Sequence, residues 1–531
     1  MIRLREIALP FDHAPEALAE AIAQKLSLPA AEVGRIVTVR QSIDARKKQR
    51  ILAVYIVDVE VPDETGVLER FAGDAHVERA PETEYATPQY SPAAGKQPSP
   101  VVVGSGPCGL FAALLLAEAG ARPILIERGK AVAARVRDVQ AFWRDGVLNP
   151  ESNVPFGEGG AGTFSDGKLT TQIKDKHNRV RKILTELVAA GAPGEILYDA
   201  RPHIGTDHLV RVVKNIREKI ISLGGQVRFE TKLTGLVVRD GTLAGAVVND
   251  GETIETTALV AALGHSARDT FEMLHGCGVA MEAKPLSIGV RIEHPQTLID
   301  AAQYGRSAGH PRLGAADYKL VHHGGGGRSA YTFCMCPGGE VIGASSEPGG
   351  IVTNGMSRYA RSCRNANSAL LVGITPADFG GDGPLAGIAF QRVWEQKAFV
   401  VGGGAYFAPA QRVGDFLAGK ASAKMGSVVP SYTPGVTPCD LAACLPGFVV
   451  TTLREAIIAM ENKLRGFAMP DAAMTAVESR SSSPLRILRD EHFQSVSVRG
   501  LFPAGEGAGY AGGIISAAVD GLKAAEAVCY F

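Results

Sequence analysis

The chain has 531 residues, of which 55 are basic, 55 acidic and 46% hydrophobic. That is material for two to four domains at roughly 150 residues each, and the cancelled charge excludes the basic excess of a chain-wide nucleic-acid surface. No apolar run approaches the ~18 residues of a bilayer span, the charged start Met1-Ile-Arg-Leu-Arg-Glu6 is not a secretory signal, and the eight scattered cysteines do not read as a disulfide framework, so a cytoplasmic location without membrane contact is expected.

Residues 1–80 predict a small α/β domain. It has a strand over 2–9, a helix over 14–26 with Leu18, Ala21, Ile22 and Leu26 at helical spacing, and strands over 33–39 and 51–61. Between the last two strands lies the basic cluster Arg46, Lys47, Lys48 and Arg50. It reads first as a solvated hairpin tip, and second as a docking surface for an acidic protein partner of this domain. Residues 81–100 carry prolines at 81, 88, 92, 98 and 100 and read as a linker.

Val101 to Val103 are β-branched and uninterrupted, as a buried parallel strand requires. Gly104, Gly106 and Gly109 follow in the spacing G-x-G-x-x-G, Pro107 stands at the first helical position, and Gly120 stops the helix. A second strand over 124–126 ends in Glu127, 18 residues beyond Gly109. Strand, glycine turn, helix, strand and acidic end fall in register. They predict a dinucleotide site, with pyrophosphate on the helix N-terminus and ribose hydroxyls on Glu127.

A helix over 131–142 leads to Gly157-Glu-Gly-Gly-Ala-Gly-Thr-Phe-Ser-Asp-Gly-Lys168, a loop that exposes backbone N–H groups beside a cation. Helices over 178–190 and 209–223 come next. Four short strands, at 226–230, 233–239, 243–249 and 253–256, are then expected as one hairpin group with Asp-Gly turns. The apolar strand 258–263 ends at Gly264. Residues 270–490 hold no second fingerprint in a strand–turn–helix setting and read as a substrate domain inserted into the nucleotide domain. Leu501-Phe-Pro-Ala-Gly-Glu506, the pair Gly512-Gly513 and a helix to about 530 return to the cofactor.

These pieces resemble the glutathione-reductase-like FAD-binding superfamily. Nearly the whole chain is also similar to a bacterial family of FAD-dependent dehydrogenases, or NAD(P)/FAD-dependent oxidoreductases, of unassigned substrate. That second likeness rests on Ser42-Ile-Asp-Ala-Arg-Lys-Lys48, the 157–168 loop, Gly289-Val-Arg-Ile-Glu-His-Pro-Gln296, Phe333-Cys-Met-Cys-Pro-Gly-Gly339 and Gly507-Ala-Gly-Tyr-Ala-Gly-Gly513. The resemblance implies FAD as the bound cofactor; the electrons are expected to come from a small organic substrate or from transient NAD(P)H. It implies an α/β fold: an FAD/NAD(P)-binding Rossmann-like domain (101–269 and 491–531), an inserted α+β substrate domain (270–490) and a small N-terminal α/β domain (1–80). In the superfamily a C-terminal acidic residue, usually Asp, touches the ribityl chain; here it is Glu506, one methylene longer. The expected cofactor residues are Gly104, Ser105, Gly106, Pro107, Cys108, Gly109, Glu127, Arg128, Gly129, Gly160, Gly162, Thr163, Lys168, Leu233, Gly264, Gly505, Glu506, Gly512, Gly513 and Ile514.

FAD carries the redox chemistry, so side chains are left with orientation and electrostatics. The candidates are Lys168, Arg291, His294, Cys334 and Cys336. Two residues apart on a strand, Cys334 and Cys336 are expected on one face, too close for an unstrained disulfide and without the second pair of a zinc site. Arg291 suits an anionic substrate and His294, on the opposite face, a proton transfer. The plain alternative for both is a salt bridge and a hydrogen-bonded histidine. Lys168 offers a cation near the flavin. His322 and His323 lack partners for a metal, and none is expected. An FAD-dependent oxidoreductase acting on a small substrate is the leading function. A flavin-carrying binding or assembly protein is the first alternative. An FAD-dependent RNA-modifying enzyme, disfavoured by the neutral charge, is the second.

Overall fold

The computed structural model describes residues 1–91 and 98–531; the middle of the expected linker, 92–97 with Pro92, lies outside the described residues. The first unit runs β1 (Ile2–Pro10), α1 (Ala17–Leu26), β2 (Ile36–Asp44), β3 (Leu52–Val59), α2 (Glu64–Arg70) and β4 (Val77–Arg79), with sheet order β2-β3-β1-β4. This is the split β-α-β-β-α-β arrangement. Burial alternates along β3, where Ala53, Tyr55, Val57 and Val59 turn inward with Ile22 and Leu26 of α1. β2 starts later than expected and runs to Asp44, because its register with β3 continues to the Asp44–Leu52 pair. Phe11, Ile43 and Ile51 join the core of the largest sheet, which docks this unit against the rest of the chain.

The second unit begins with β5 (Val101–Val103), α3 (Pro107–Glu118), β6 (Ile124–Ile126), α4 (Val132–Asp145), α5 (Arg179–Ala189), α6 (Thr206–Ser222) and β7 (Gln226–Arg228). β8 (Leu233–Arg239), β9 (Thr242–Val248) and β10 (Glu252–Glu255) form a separate antiparallel sheet, before β11 (Leu259–Ala261) and α7 (Arg268–Gly276). The expected four-strand hairpin group is thereby corrected: its first strand pairs in parallel with β6 and becomes the edge of the main sheet.

The chain continues through β12 (Met281–Ala283), β13 (Leu286–Pro295), α8 (Gln296–Tyr304), β14 (Val321–His323), β15 (Ser329–Cys336), β16 (Glu340–Gly343), β17 (Thr353–Met356) and β18 (Asn365–Ile374). Then come α9 (Ala386–Val401), β19 (Ala408–Arg412), α10 (Val413–Leu417), β20 (Val436–Pro438), α11 (Gly447–Glu461) and β21 (Ala473–Glu478). β22 (Leu485–Ile487), β23 (Leu501–Pro503) and α12 (Ile514–Cys529) close the chain.

Two sheets position everything that follows. The parallel sheet has the order β23-β11-β5-β6-β7, so the last strand returns beside β11, and β5 lies where the strand order reverses. α3 is buried almost throughout, between this sheet and α12. The seven-stranded sheet has the order β14-β15-β18-β13-β21-β19-β20. Ile288, Val290 and Ile292 on one face share an apolar core with Leu453 and Ile457 of α11. A buried ionic clamp ties the layers together. Glu395 of α9 accepts from Arg268 of α7 at 2.8 and 2.9 Å and from Arg480 at 2.8 and 3.0 Å. Among the described residues no helix is long and apolar enough to cross a membrane.

Candidate functional site

The C-terminal ends of β5, β11 and β23 open on one edge, where the chain turns at Gly104, Gly264 and Gly505. A crevice at such a reversal of strand order is where open α/β sheets bind ligands. The fingerprint spacing has a steric cause here: a Cβ on Gly109 would overlap the carbonyl oxygen of Gly104. The first-turn N–H groups of α3 lack intrahelical acceptors and face this edge.

The 157–168 loop covers that turn. Gly160 adopts φ +60°, and a Cβ there would stand 2.9 Å from the Gly106 Cα. Gly159 N–H donates to the Ser105 carbonyl at 2.9 Å. Gly162 and Ile514 meet across the crevice, so the loop bridges the starts of α3 and α12. Arg135, fully buried in α4, stitches the loop from below by donating to the carbonyls of Asn153, Val154, Gly157, Glu158 and Gly160 at 2.6–3.2 Å. Burial lowers its pKa to about 10. Sequence reasoning missed Arg135, since an arginine in an amphipathic helix looks solvated.

Glu127 is buried and already bonded to four protein donors. One oxygen accepts from Ser105 N and Oγ at 2.9 and 2.8 Å, the other from Gly129 N and Gly157 N at 2.9 and 3.0 Å. Of these four donors only the Ser105 hydroxyl is free to rotate. Arg128 is committed to Asp269 at 2.8 and 2.9 Å and Glu151 at 2.8 Å, and stacks 4.1 Å over Phe156. Cys108, Thr163 and Leu233 are buried. Burial raises the Cys108 thiol, and Gly505 packs on its side chain.

On the far side, Gly264 and Gly512 are exposed, with no heavy atom within 4 Å of where a Cβ would lie. Glu506 faces this space beside His265, whose Nε2 is 3.6 Å from the carboxylate. Burial pushes Glu506 up to about 7, against the pull of the Gly513 N–H and Lys284, and pushes His265 down to about 3. Lys284 is lowered by burial and by Arg486. Neither His265 nor Lys284 was foreseen, although His265 directly follows the strand-ending Gly264.

On the seven-stranded sheet geometry departs from simple alternation. A bulge between Phe333 and Cys336 puts Cys334 at φ +41° and breaks the shared face expected of the two cysteines. Cys334 is exposed while Cys336 is buried. The Cys334 carbonyl turns inward and accepts from Arg291 Nη1 at 2.9 Å and from Cys336 Sγ at 3.3 Å. Burial raises the Cys336 thiol, while Arg291 and Lys168 pull it down.

Arg291 is not free for a substrate. Fully buried, it donates to Glu478 at 2.9 and 3.0 Å, to Asn354 at 2.9 Å and to Asn367 at 3.2 Å. Burial is the largest influence and opposes its charge, but Glu478 and the neighbouring Cys336 and Cys334 together raise the guanidinium pKa. His294 lies on the α11 side and donates from Nε2 to the Phe467 carbonyl at 2.8 Å. Burial lowers it to about 4. For both, the plain alternative of a salt bridge and a bonded histidine matches the geometry. Lys168 is different: its nearest carboxylate, Asp166, is 3.9 Å away and already held by Arg361 at 2.5 and 3.0 Å. Among the described residues no group of histidine, cysteine and acidic side chains has the arrangement of a metal centre.

Comparison with known proteins adds the cofactor. Residues 99–142 match a family model described as an FAD binding domain, and residues 285–481 match one described as FAD-dependent protein, C-terminal domain-like. Residues 1–60 match a domain of unknown function. A protein of Clostridium beijerinckii, named only as uncharacterized, is 50% identical over 527 residues, covering 99% of this chain and 98% of that one. Among solved structures, the flavin-dependent brominase Bmp2 is 13% identical with a TM-score of 0.37, covering 82% of this chain and 79% of its own. Glycine oxidase from Bacillus cereus is 10% identical with a TM-score of 0.32, covering 82% and 95%. Likenesses of that size carry no argument about activity. The family models speak to the cofactor, which is FAD.

Proposed function

The chain belongs to the same family as the Clostridium beijerinckii protein, and from that premise we propose that it is an FAD-dependent oxidoreductase acting on a small organic substrate held between the two sheets. One observation carries this reading: the glycine-lined ends of three parallel strands and the starts of α3 and α12 converge on one crevice. The residues fit the cofactor. The bare edges at Gly264 and Gly512 leave space for it, and the α3 turn suits a pyrophosphate.

In this reading Gly104 to Gly109 hold the pyrophosphate and Glu127 the adenosine ribose, after Ser105 Oγ rotates away. Glu506, His265 and Lys284 border the ribityl chain, and the α12 start directs its N–H groups at the ring edge. FAD supplies hydride-accepting redox chemistry. The protein excludes water by closing one sheet over the other, with the Glu395 clamp fixing their spacing. We assign residues 101–269 and 491–531 to cofactor binding and 270–490 to the substrate, with the N-terminal unit docked beside the latter. NAD(P)H serves as a visiting electron donor.

The test is to purify the full chain, record its flavin spectrum, and follow anaerobic bleaching by NADH, NADPH and a metabolite panel. Bound flavin that one of them bleaches is the expected result. Flavin that resists every reductant favours a binding or assembly protein, and absence of flavin overturns the reading.

A further inference from the structure

A second cleft lies at the end of α12 remote from the cofactor edge. The helix starts at Ile514, against Gly162, and carries Lys523, Ala527 and the following Tyr530 on one face at helical spacing. These three line a cleft of about 630 Å³ together with Lys174, Lys176 and Phe493, a volume within the range of small-molecule sites. Lys523 stands nine residues beyond Ile514, about 14 Å along the helix axis.

The anionic groups around this cleft already have partners. Glu526 accepts from Arg179 at 2.5 and 2.7 Å and from the Tyr85 hydroxyl at 2.7 Å. Asp175, between the two loop lysines, accepts from the backbone N–H groups of His177 and Val180 at 3.1 and 2.7 Å, which anchors the loop to the start of α5. The last carbonyls of α12 accept from the N–H groups of Tyr530 and Phe531 at 3.3 and 3.2 Å. Glu491 points to solvent, its side chain 89% exposed, with His492 3.7 Å away. Lys174, Lys176 and Lys523 form no ion pair and no side-chain hydrogen bond among the described residues.

The cleft is also aromatic. Tyr530 is 73% exposed and has no ring partner among the described residues. Phe493 is held at φ +64°, a conformation that costs a bulky residue energy. Asp490 enforces it, its carbonyl accepting from Phe493 N–H at 3.1 Å and its carboxylate from the N–H groups of His492 and Gln494 at 2.9 Å. That turn sets Phe493 in the cleft wall, with Arg489 4.1 Å over its ring.

We propose that this cleft binds a nucleotide, its phosphates on Lys174, Lys176 and Lys523 and its base against Tyr530 and Phe493, as a site separate from the FAD crevice. Three unpaired cations outnumber one solvated carboxylate, which selects a multiply charged anion. The free ring adds stacking that a bare phosphate does not use. The inference goes beyond the oxidoreductase reading and does not depend on it.

The test uses the full chain with excess FAD, so that the glycine fingerprint is filled. Calorimetric titrations compare ATP and UTP with tripolyphosphate and adenosine. Saturable binding of a nucleotide is expected, with tripolyphosphate and adenosine each at least tenfold weaker. Lys523→Gln should weaken nucleotide binding at least tenfold while flavin content and spectrum stay unchanged. On the wild-type chain, lysine acetylation read by mass locates the ligand: the nucleotide should slow modification of Lys174, Lys176 and Lys523 and leave Lys47 on the basic hairpin unaffected. No saturable binding overturns the proposal, as does tripolyphosphate or adenosine binding as well as the nucleotide. Equal protection of Lys47, or unchanged affinity in Lys523→Gln, also overturns it. Protection by a single-stranded oligonucleotide where mononucleotides give none overturns it in favour of a nucleic-acid surface. A chain that takes up no flavin, with UTP still protecting the three lysines, faults the oxidoreductase reading and leaves the nucleotide cleft standing.

Discussion

The turn at Gly104 to Gly109 and the centre of the second sheet around Arg291 are both buried and both polar, yet they work by different means. At the turn, backbone groups act and side chains stay out of the way: a missing Cβ at Gly109 and Gly160 is what brings loop and strand together. Around Arg291, side chains act on one another: a guanidinium, a carboxylate and two amides satisfy each other in a place water does not reach. Backbone sites are set by spacing along the chain. Side-chain networks are set by partners far apart in it, such as Arg291 and Glu478.

The contrast can be broken most forcefully at Arg291. Arg291→Met leaves Glu478 buried without its partner and should lower the unfolding free energy by about 3–5 kcal/mol, seen as a fall in the urea midpoint. Arg291→Met combined with Glu478→Leu should recover most of that loss, as replacement of a buried pair by apolar groups does. A double variant as unstable as the single one would mean that the pair is not the unit. Gly109→Ala should do the opposite kind of damage. The added methyl forces the turn apart, costing roughly 1–3 kcal/mol, and FAD affinity should fall on the order of a hundredfold while the second sheet keeps its far-ultraviolet signal.

A smaller effect sharpens the comparison at the crevice's far side. Glu506, raised to about 7, favours the folded chain at low pH and loses that contribution as pH rises toward 7. His265, lowered to about 3, contributes above its ordinary value near 6.5 and loses that contribution as pH falls toward 3. In the cofactor-free protein the two slopes oppose each other between about 4.5 and 6.5. Glu506→Gln should therefore expose a stability that climbs with pH across that window, and His265→Gln one that declines. A flat profile in both variants would refute the assignment. The smallest effect belongs to the basic hairpin. Lys47 and Arg50 are exposed, and reversing both charges should change stability by no more than about 0.5 kcal/mol.

Much of this was legible before any fold was known. The fingerprint and the acidic Glu127 were found from spacing and Glu506 from the acidic turn before Gly512-Gly513; in the fold Glu506 lies beside His265. The alternation rule also placed Arg291 and His294 on opposite faces. It failed at Cys334, where one bulge reverses the pointing of a single residue, and it could not see Arg135, whose five carbonyl partners come from a loop wrapped around it. β7 was misassigned for a related reason, because a three-residue strand carries no sign of which neighbour it will pair with.

The sequence alone determined the dinucleotide turn and the reappearance of the cofactor edge at the end of the chain, because backbone geometry at a glycine depends on residues within a few positions. Only the tertiary structure decided which charges are matched. Asp166 meets Arg361, Glu478 meets Arg291 and Glu395 meets two arginines across sequence separations of 85 to 195 residues. Coulomb attraction and burial act through space, so these pairs become visible only once the fold has brought their members together.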